Sequence, residues 1–233
     1  MKETYRQLAG TVLPDGFTVT AHSGAFDTPD NSLAFVRRAV EGPCDIIEMD
    51  VTFRPSGAPV IIHADAPTET EGVPLEEALS LIAAHPTLKM NLDLKSTENL
   101  PAVDALLAEY GLAGRAFYTG VGENWADTVR KNSAVPYYVN TDFSYALKRS
   151  SRGADEAAKK LRALGALGLN AHYNDVSPTV IRAMRENGLL TSLWTANTPR
   201  AMRRCLILCP DNVTTRHPDR LYQMMEKTDN RYQ

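Results

Sequence analysis

The sequence predicts an α/β chain folded as a single-domain (β/α)8 TIM barrel with a β-hairpin after the second strand. Three observations carry this expectation. Apolar, β-branched runs alternate with helical patterns along the chain, as in successive βαβ units on a parallel sheet. One run returns after a turn too short to hold a helix, and setting it aside as a hairpin arm leaves eight strands. The length, 233 residues, suits a barrel that takes roughly 250. A doubly wound sheet is the alternative that the same alternation allows.

The elements follow in order. Phe17–His22 is the first strand, and a helix follows from about Ser32 to Glu41. Asp45–Val51 is the second strand. Pro55-Ser56-Gly57 turns the chain back into Pro59–His63, the hairpin arm. Pro74 precedes a helix from about Leu75 to Ala84, and Met90–Lys95 is the third barrel strand. A helix near Pro101–Tyr110 leads to Ala116–Gly120. Val135–Asn140 comes next, then a helix near Ala154–Leu164. Leu169–Tyr173, Leu190–Ala196 and Asn212–Thr215 complete the set, with a helix over Thr179–Asn187. Residues 1–226 are expected to form this one domain, and 227–233 a frayed tail.

With 43% hydrophobic and 23% charged residues, the composition excludes collagen-like, low-complexity and bulk-disordered chains. A formal net charge of -3 offers no electrostatic footprint for nucleic acid. No apolar run approaches the ~20 residues of a membrane span. The opening MKETYRQLAGTVLPDG lacks the apolar centre of a signal peptide. Cys44, Cys205 and Cys209 are too sparse for a disulfide scaffold and read as buried free thiols in a reducing compartment. A cytoplasmic location is expected on these grounds. The oligomeric state is left open.

Alternate residues of a strand share a face, about 6.5–7 Å apart. Glu48 and Asp50 are therefore neighbours on one face of the second strand, and Ile47, Met49 and Val51 face the other way. Asn91, Asp93 and Lys95 repeat the pattern on the next barrel strand. Two strands thus aim three carboxylates at one interior, where acids need a paired charge or a bound cation. An all-oxygen set suits one divalent cation, Mg²⁺ or Ca²⁺, rather than zinc. Pairing of the acids with Lys95 is the competing structural explanation.

His22 ends the first strand and His63 ends the hairpin arm, at the barrel end where active sites lie. One imidazole can take a proton from a nucleophile while the other returns one to a leaving oxygen. His172 shares a face with Asn170 and reads either as a substrate contact or as a hydrogen-bonded barrel residue. Trp194 reads as a wall for a substrate head group or as core. The Lys148–Arg152 run reads as a solvated face, and Tyr118, Tyr137, Tyr138 and Tyr145 show no interpretable spacing.

These residues resemble the glycerophosphodiester phosphodiesterase family. The resemblance rests on His22-Ser23-Gly24, Pro29-Asp30-Asn31-Ser32, Glu48-Met49-Asp50-Val51 and Val60-Ile61-Ile62-His63-Ala64-Asp65. That family reads His-Arg-Gly, Pro-Glu-Asn-Thr, Glu-x-Asp-Val and a strand ending in His-Asp. Asn91-Leu92-Asp93-Leu94-Lys95, Trp194-Thr195-Ala196-Asn197 and Thr214-Thr215-Arg216-His217-Pro218 stand at its later motifs. The match is dense over 20–95, thin over 96–165, and returns over 168–220. The resemblance implies one divalent cation held by Glu48, Asp50 and Asp93, with acid/base roles for His22 and His63. It implies phosphate contact at Lys95 and favours Trp194 as a substrate wall; Asn31 and His172 are also expected on the substrate side. It adds the substrate class, a small-molecule phosphodiester.

The chain also departs from that pattern. Ser23 stands where the family carries an arginine that grips phosphate through a bidentate fork, so one anion contact is missing. Ala64 splits the His-Asp pair, and Asp93 is one methylene shorter than the usual Glu. Residues 64–92 alone separate His63 from Asp93, too few for the small lobe that glycerol-specific members insert there. That short connection and the Asp are shared with the sphingomyelinase D-like branch, whose members release a cyclic phosphate. Three expectations follow: hydrolysis of a glycerophosphodiester-like substrate, a cyclising phospholipase D-like lyase, or a silent barrel that binds a phosphate ligand.

Overall fold

The computed structural model describes residues 13–141 and 150–229. The strands are β1 (Thr18–Ala21), β2 (Ile46–Phe53), β3 (Pro59–Ile61), β4 (Val73–Pro74), β5 (Lys89–Leu94), β6 (Ala116–Val121), β7 (Tyr137–Asn140), β8 (Gly168–His172), β9 (Leu190–Trp194) and β10 (Asn212–Thr215). Eight of them run parallel in the order β1-β10-β9-β8-β7-β6-β5-β2. Pairing of Thr20 with Ile46 and of Ala21 with Ile47 joins β1 to β2 and closes the ring. The fold is the expected TIM barrel, not an open sheet.

β3 and β4 stand outside the ring. β3 pairs antiparallel with the end of β2, Val51 opposite Ile61 and Phe53 opposite Pro59. The turn between them closes by Arg54 N–H donating to Ala58 O at 3.0 Å, and Gly57 supplies the left-handed residue at φ 82°. β4 then adds to β3 and runs directly into a helix. The segment 64–92 therefore holds a loop, β4, α2 and the start of β5, with no inserted lobe.

The helices are α1 (Leu33–Val40), α2 (Leu75–Ala83), α3 (Leu100–Glu109), α4 (Glu123–Asn132), α5 (Ser151–Ala163), α6 (Pro178–Glu186), α7 (Pro199–Leu208) and α8 (Pro218–Asp229). Local chemistry starts several of them. Ser32, Ser150, Ser177 and Thr198 each accept a backbone N–H three residues on, and Pro178 and Pro199 take first-turn positions where no N–H is needed. Three helices, α4, α7 and α8, are not among those expected from the sequence. α4 buries only Ala126 and Val129, so its apolar stripe is thin, whereas α7 buries Ala201, Met202, Cys205, Leu206 and Leu208 beneath three exposed arginines. α8 continues past Glu226 to Asp229. Among the described residues no helix is long and apolar enough to cross a membrane.

The apolar core lies between strands and helices, not inside the ring. Ile47, Met49 and Val51 point outward from β2 and are fully buried with Phe35 and Val36 of α1 and Leu79 of α2. Each such side chain contributes about 1.5–3 kcal/mol through burial. The ring interior also holds a buried polar layer. Thr20, Asn91, Asn170, Ser192, Asn212 and Thr214 are all buried. They satisfy one another: Thr20 donates to Asn212 Oδ1 at 2.8 Å, and Asn212 Nδ2 donates to Ser192 Oγ at 3.0 Å. The C-terminal strand ends open into a cavity above this layer.

Candidate active site

Parallel register builds the centre of that cavity. Glu48 lies opposite Asn91, and Asp50 opposite Asp93, on adjacent strands β2 and β5. One carboxylate oxygen from each of Glu48, Asp50 and Asp93 lies within 4.8 Å of the others. Glu48 and Asp50 are buried, at 4% and 5% exposure. The cavity measures about 490 Å³, and His22, His63, Lys95, Thr119, Trp194 and Arg216 also line it.

One lysine pairs with two of these three acids. Lys95 Nζ sits 2.8 Å from Asp50 Oδ1 and 2.5 Å from Asp93 Oδ2. The acid–lysine pairing weighed from the sequence is therefore present, but it involves Asp50 and Asp93 and leaves Glu48 out. Burial alone would lower the Lys95 ammonium pKa, and Asp93 and Asp50 together outweigh it and hold it above the ordinary lysine range. Glu48 accepts the Ser23 backbone N–H at 2.8 Å, with His22 Nδ1 3.9 Å away. Burial first, then the charges of Asp50 and Asp93, push the Glu48 carboxyl well above the usual carboxylate range. A cation held by all three oxygens is what would relieve this crowding.

Supporting groups come from three further strands. The Thr119 hydroxyl on β6 lies 2.6 Å from Asp93 Oδ1 and 2.7 Å from Asn91 Oδ1, sharing its one hydrogen between them. Gly120, at φ 75°, lets β6 pass close to β5: a Cβ there would meet Leu94 O at 2.4 Å. Its N–H donates to Asn140 Oδ1 on β7, which also accepts from Asn170 Nδ2 on β8.

The histidines sit on the rim. His22 follows β1, and its Nδ1 lies 2.9 Å from Ser23 O. A carbonyl oxygen can only accept, so Nδ1 carries the hydrogen and Nε2 keeps a lone pair. Burial, and secondarily the Arg216 charge, lower the His22 pKa and favour the neutral ring. His63 lies just beyond β3 and lines the same cavity from the hairpin side.

Two expected substrate contacts sit elsewhere. Asn31 is 7% exposed and grips Asp50 from behind, away from the cavity. The burial of its amide against the acid cluster makes it a positioning group. His172 packs edge-on against Trp194, ring centroids 5.6 Å apart, and its Nδ1 accepts the Asn174 N–H at 3.3 Å. It therefore packs on the Trp194 wall at the end of β8. Of the expected thiols, burial pushes Cys44 and Cys205 each up to about 12, which fits inert core residues. Tyr145 and the first two residues of the Lys148–Arg152 run lie outside the described residues. Thr119, Asn140 and Arg216 escaped the sequence reading, because a lone polar residue at a strand end carries no pattern.

Comparison with known proteins agrees with this geometry. A family model described as the glycerophosphoryl diester phosphodiesterase family matches residues 86–220. The chain is 22% identical to a glycerophosphodiester phosphodiesterase of Caldanaerobacter subterraneus subsp. tengcongensis, an alignment covering 90% of this chain and 98% of that one. A glycerophosphodiester phosphodiesterase structure from Parabacteroides distasonis superposes with a TM-score of 0.73 at 18% identity, covering 91% of this chain and 98% of that one. A phosphodiesterase from Oleispira antarctica, solved with sn-glycerol-3-phosphate as product, gives 0.73 at 18% identity, covering 92% and 97%. At these identities the two structures bear on the fold alone.

Proposed function

The chain belongs to the glycerophosphoryl diester phosphodiesterase family and is a phosphoric diester hydrolase, and from that premise we propose a two-histidine, cation-assisted hydrolysis of a glycerophosphodiester to an alcohol and a phosphomonoester. The observation that carries the reading is the cluster of Glu48, Asp50 and Asp93 within 4.8 Å, of which Lys95 pairs with Asp50 and Asp93 and leaves Glu48 out. The donors are all carboxylate oxygens, which fits Mg²⁺ or Ca²⁺. Glu48, Asp50 and Asp93 would hold the ion, and when bound it supplies charge neutralisation at the phosphate oxygens.

The chain's own groups do the rest. His22 Nε2 is positioned to take a proton from the attacking hydroxyl, with Ser23 O fixing the tautomer. His63, across the cavity, returns a proton to the leaving alcohol oxygen. Lys95 has three hydrogens, of which two face Asp50 and Asp93 and the third serves a phosphate oxygen. Trp194 walls the side where a head group lies. If the substrate carries a hydroxyl next to the ester, that group attacks phosphorus first because it is already in place, forming a cyclic phosphate as the alcohol leaves. Water then attacks phosphorus, His63 taking its proton and His22 returning one to the ring oxygen that leaves, and the cyclic ester opens to the monoester.

A ³¹P NMR time course with glycerophosphocholine, lysophosphatidylcholine and a sugar phosphodiester tests this. EDTA-sensitive growth of a monoester signal, lost in His22→Ala, is the expected result. Accumulation of a cyclic phosphate would assign the lyase reading, which the short 64–92 connection favours. An unchanged spectrum with all three substrates in Mg²⁺ and in Ca²⁺ would overturn hydrolysis.

A further inference from the structure

We infer that Arg216 supplies the guanidinium contact to the substrate phosphate, reaching the site from the end of β10 instead of from the loop after β1. The inference rests on the phosphodiesterase reading and deepens it.

The β1 loop has no cation to offer. Ser23 is 1% exposed, its Oγ accepts the Asn31 N–H at 2.7 Å, and its own N–H is held by Glu48. Both of its polar groups thus serve the scaffold. Arg216 stands beside that loop although it comes from the other end of the chain. His22 N–H donates to Thr215 O at 2.9 Å, and Phe26 N–H donates to Arg216 O at 3.1 Å. Arg216 N–H donates to Asn197 Oδ1 at 2.8 Å. The main chain is fixed on both sides.

The side chain is also held. Arg216 Nη2 donates to Asp30 Oδ2 at 2.8 Å. Asp30 reaches this position by lying across Gly24, where a Cβ would come within 1.9 Å of Asp30 Oδ1. A guanidinium has five N–H donors, so one bond to Asp30 leaves a fork for an anion.

Charge completes the case. Lys95 and Arg216 are the lysine and arginine among the described residues that line the cavity. Lys95 is shared by Asp50 and Asp93, whereas Arg216 faces one partly exposed carboxylate. A dianionic or monoanionic phosphate entering beside three carboxylates needs such a cation at the mouth.

A plain surface clamp is the rival explanation, and an exposed ion pair of that kind contributes little to stability. Arg216→Gln, Arg216→Lys and Asp30→Asn separate the two. KM for glycerophosphocholine and Kd for sn-glycerol 3-phosphate, with Mg²⁺ present, are the readouts, alongside Tm. Arg216→Gln is expected to raise both constants about 10- to 100-fold, as loss of a charged hydrogen bond does, with Tm nearly unmoved. Arg216→Lys recovers part of the loss, because it restores charge without the fork. Asp30→Asn costs clearly less, since the guanidinium remains. Equal effects of Asp30→Asn and Arg216→Gln, or no change in either constant, would overturn the inference. A wild-type protein that turns over no diester would instead sink the hydrolase reading, while the Kd comparison would still decide Arg216.

Discussion

Asn31 holds Asp50 from two sides at once. Its amide Nδ2 donates to Asp50 Oδ2 at 2.7 Å, and its Oδ1 accepts the Asp50 backbone N–H at 3.0 Å. Asn31 adopts φ 48°, a left-handed conformation that asparagine tolerates better than most residues. The pair joins the loop before α1 to the strand that carries the acids. Asn31→Ala removes both bonds and leaves the carboxylate held by Lys95 at Oδ1 alone. Divalent-cation affinity is expected to fall about 10- to 100-fold, as it does when an orienting partner is lost. Isothermal titration with Mg²⁺ and Ca²⁺ checks this, and an unchanged affinity would contradict the positioning role.

Glu48 is predicted to weaken the cation-free fold and to be needed by the loaded one. Without a cation, Glu48→Gln replaces a carboxyl that burial and its neighbours Asp50 and Asp93 keep from ionising, and should melt no lower than wild type in EDTA. With saturating cation, wild type gains stability by mass action, about 2.7 kcal/mol at a concentration 100 times Kd. That gain should be largely absent in Glu48→Gln. Thermal melts across a Mg²⁺ series decide it, and equal gains in both proteins would remove Glu48 from the ligand set.

Gly120 is predicted to tolerate no side chain. It sits at φ 75°, and an added Cβ would meet Leu94 O at 2.4 Å and Asp93 Oδ1 at 3.2 Å. The first contact is rigid strand backbone, so β6 must shift from β5. Gly120→Ala should cost at least the ~1–3 kcal/mol of a strained conformation and disturb Asp93. Urea unfolding measures the cost.

His22 is predicted to set the acid side of the pH profile. Burial and the Arg216 charge lower its folded pKa, so the neutral ring persists below pH ~6.5, where a free histidine already protonates. The acid limb of kcat/KM should therefore fall below that value. The linked stability has the same sign: it is full above the unfolded pKa and is lost as pH falls through the folded one. A limb centred above 7 would show that burial does not govern this ring.

The sequence by itself determined the class of fold and the nucleus of the site. Strand period two is local, so Glu48 with Asp50, and Asn91 with Asp93 and Lys95, share faces whatever surrounds them. Repeated βαβ alternation then leaves a parallel barrel or a doubly wound sheet, and the pairing of β1 with β2 decides for the barrel. Tertiary structure decided what those faces meet. Register across β2 and β5 set Asp50 against Asp93 and sent Lys95 to both, leaving Glu48 without a cation. Loop conformation turned Asn31 and Ser23 inward as scaffold. Barrel closure brought Arg216 beside His22 and Asp30. Such contacts join residues far apart in the chain through register and closure, and neither leaves a periodic trace in the residues it unites.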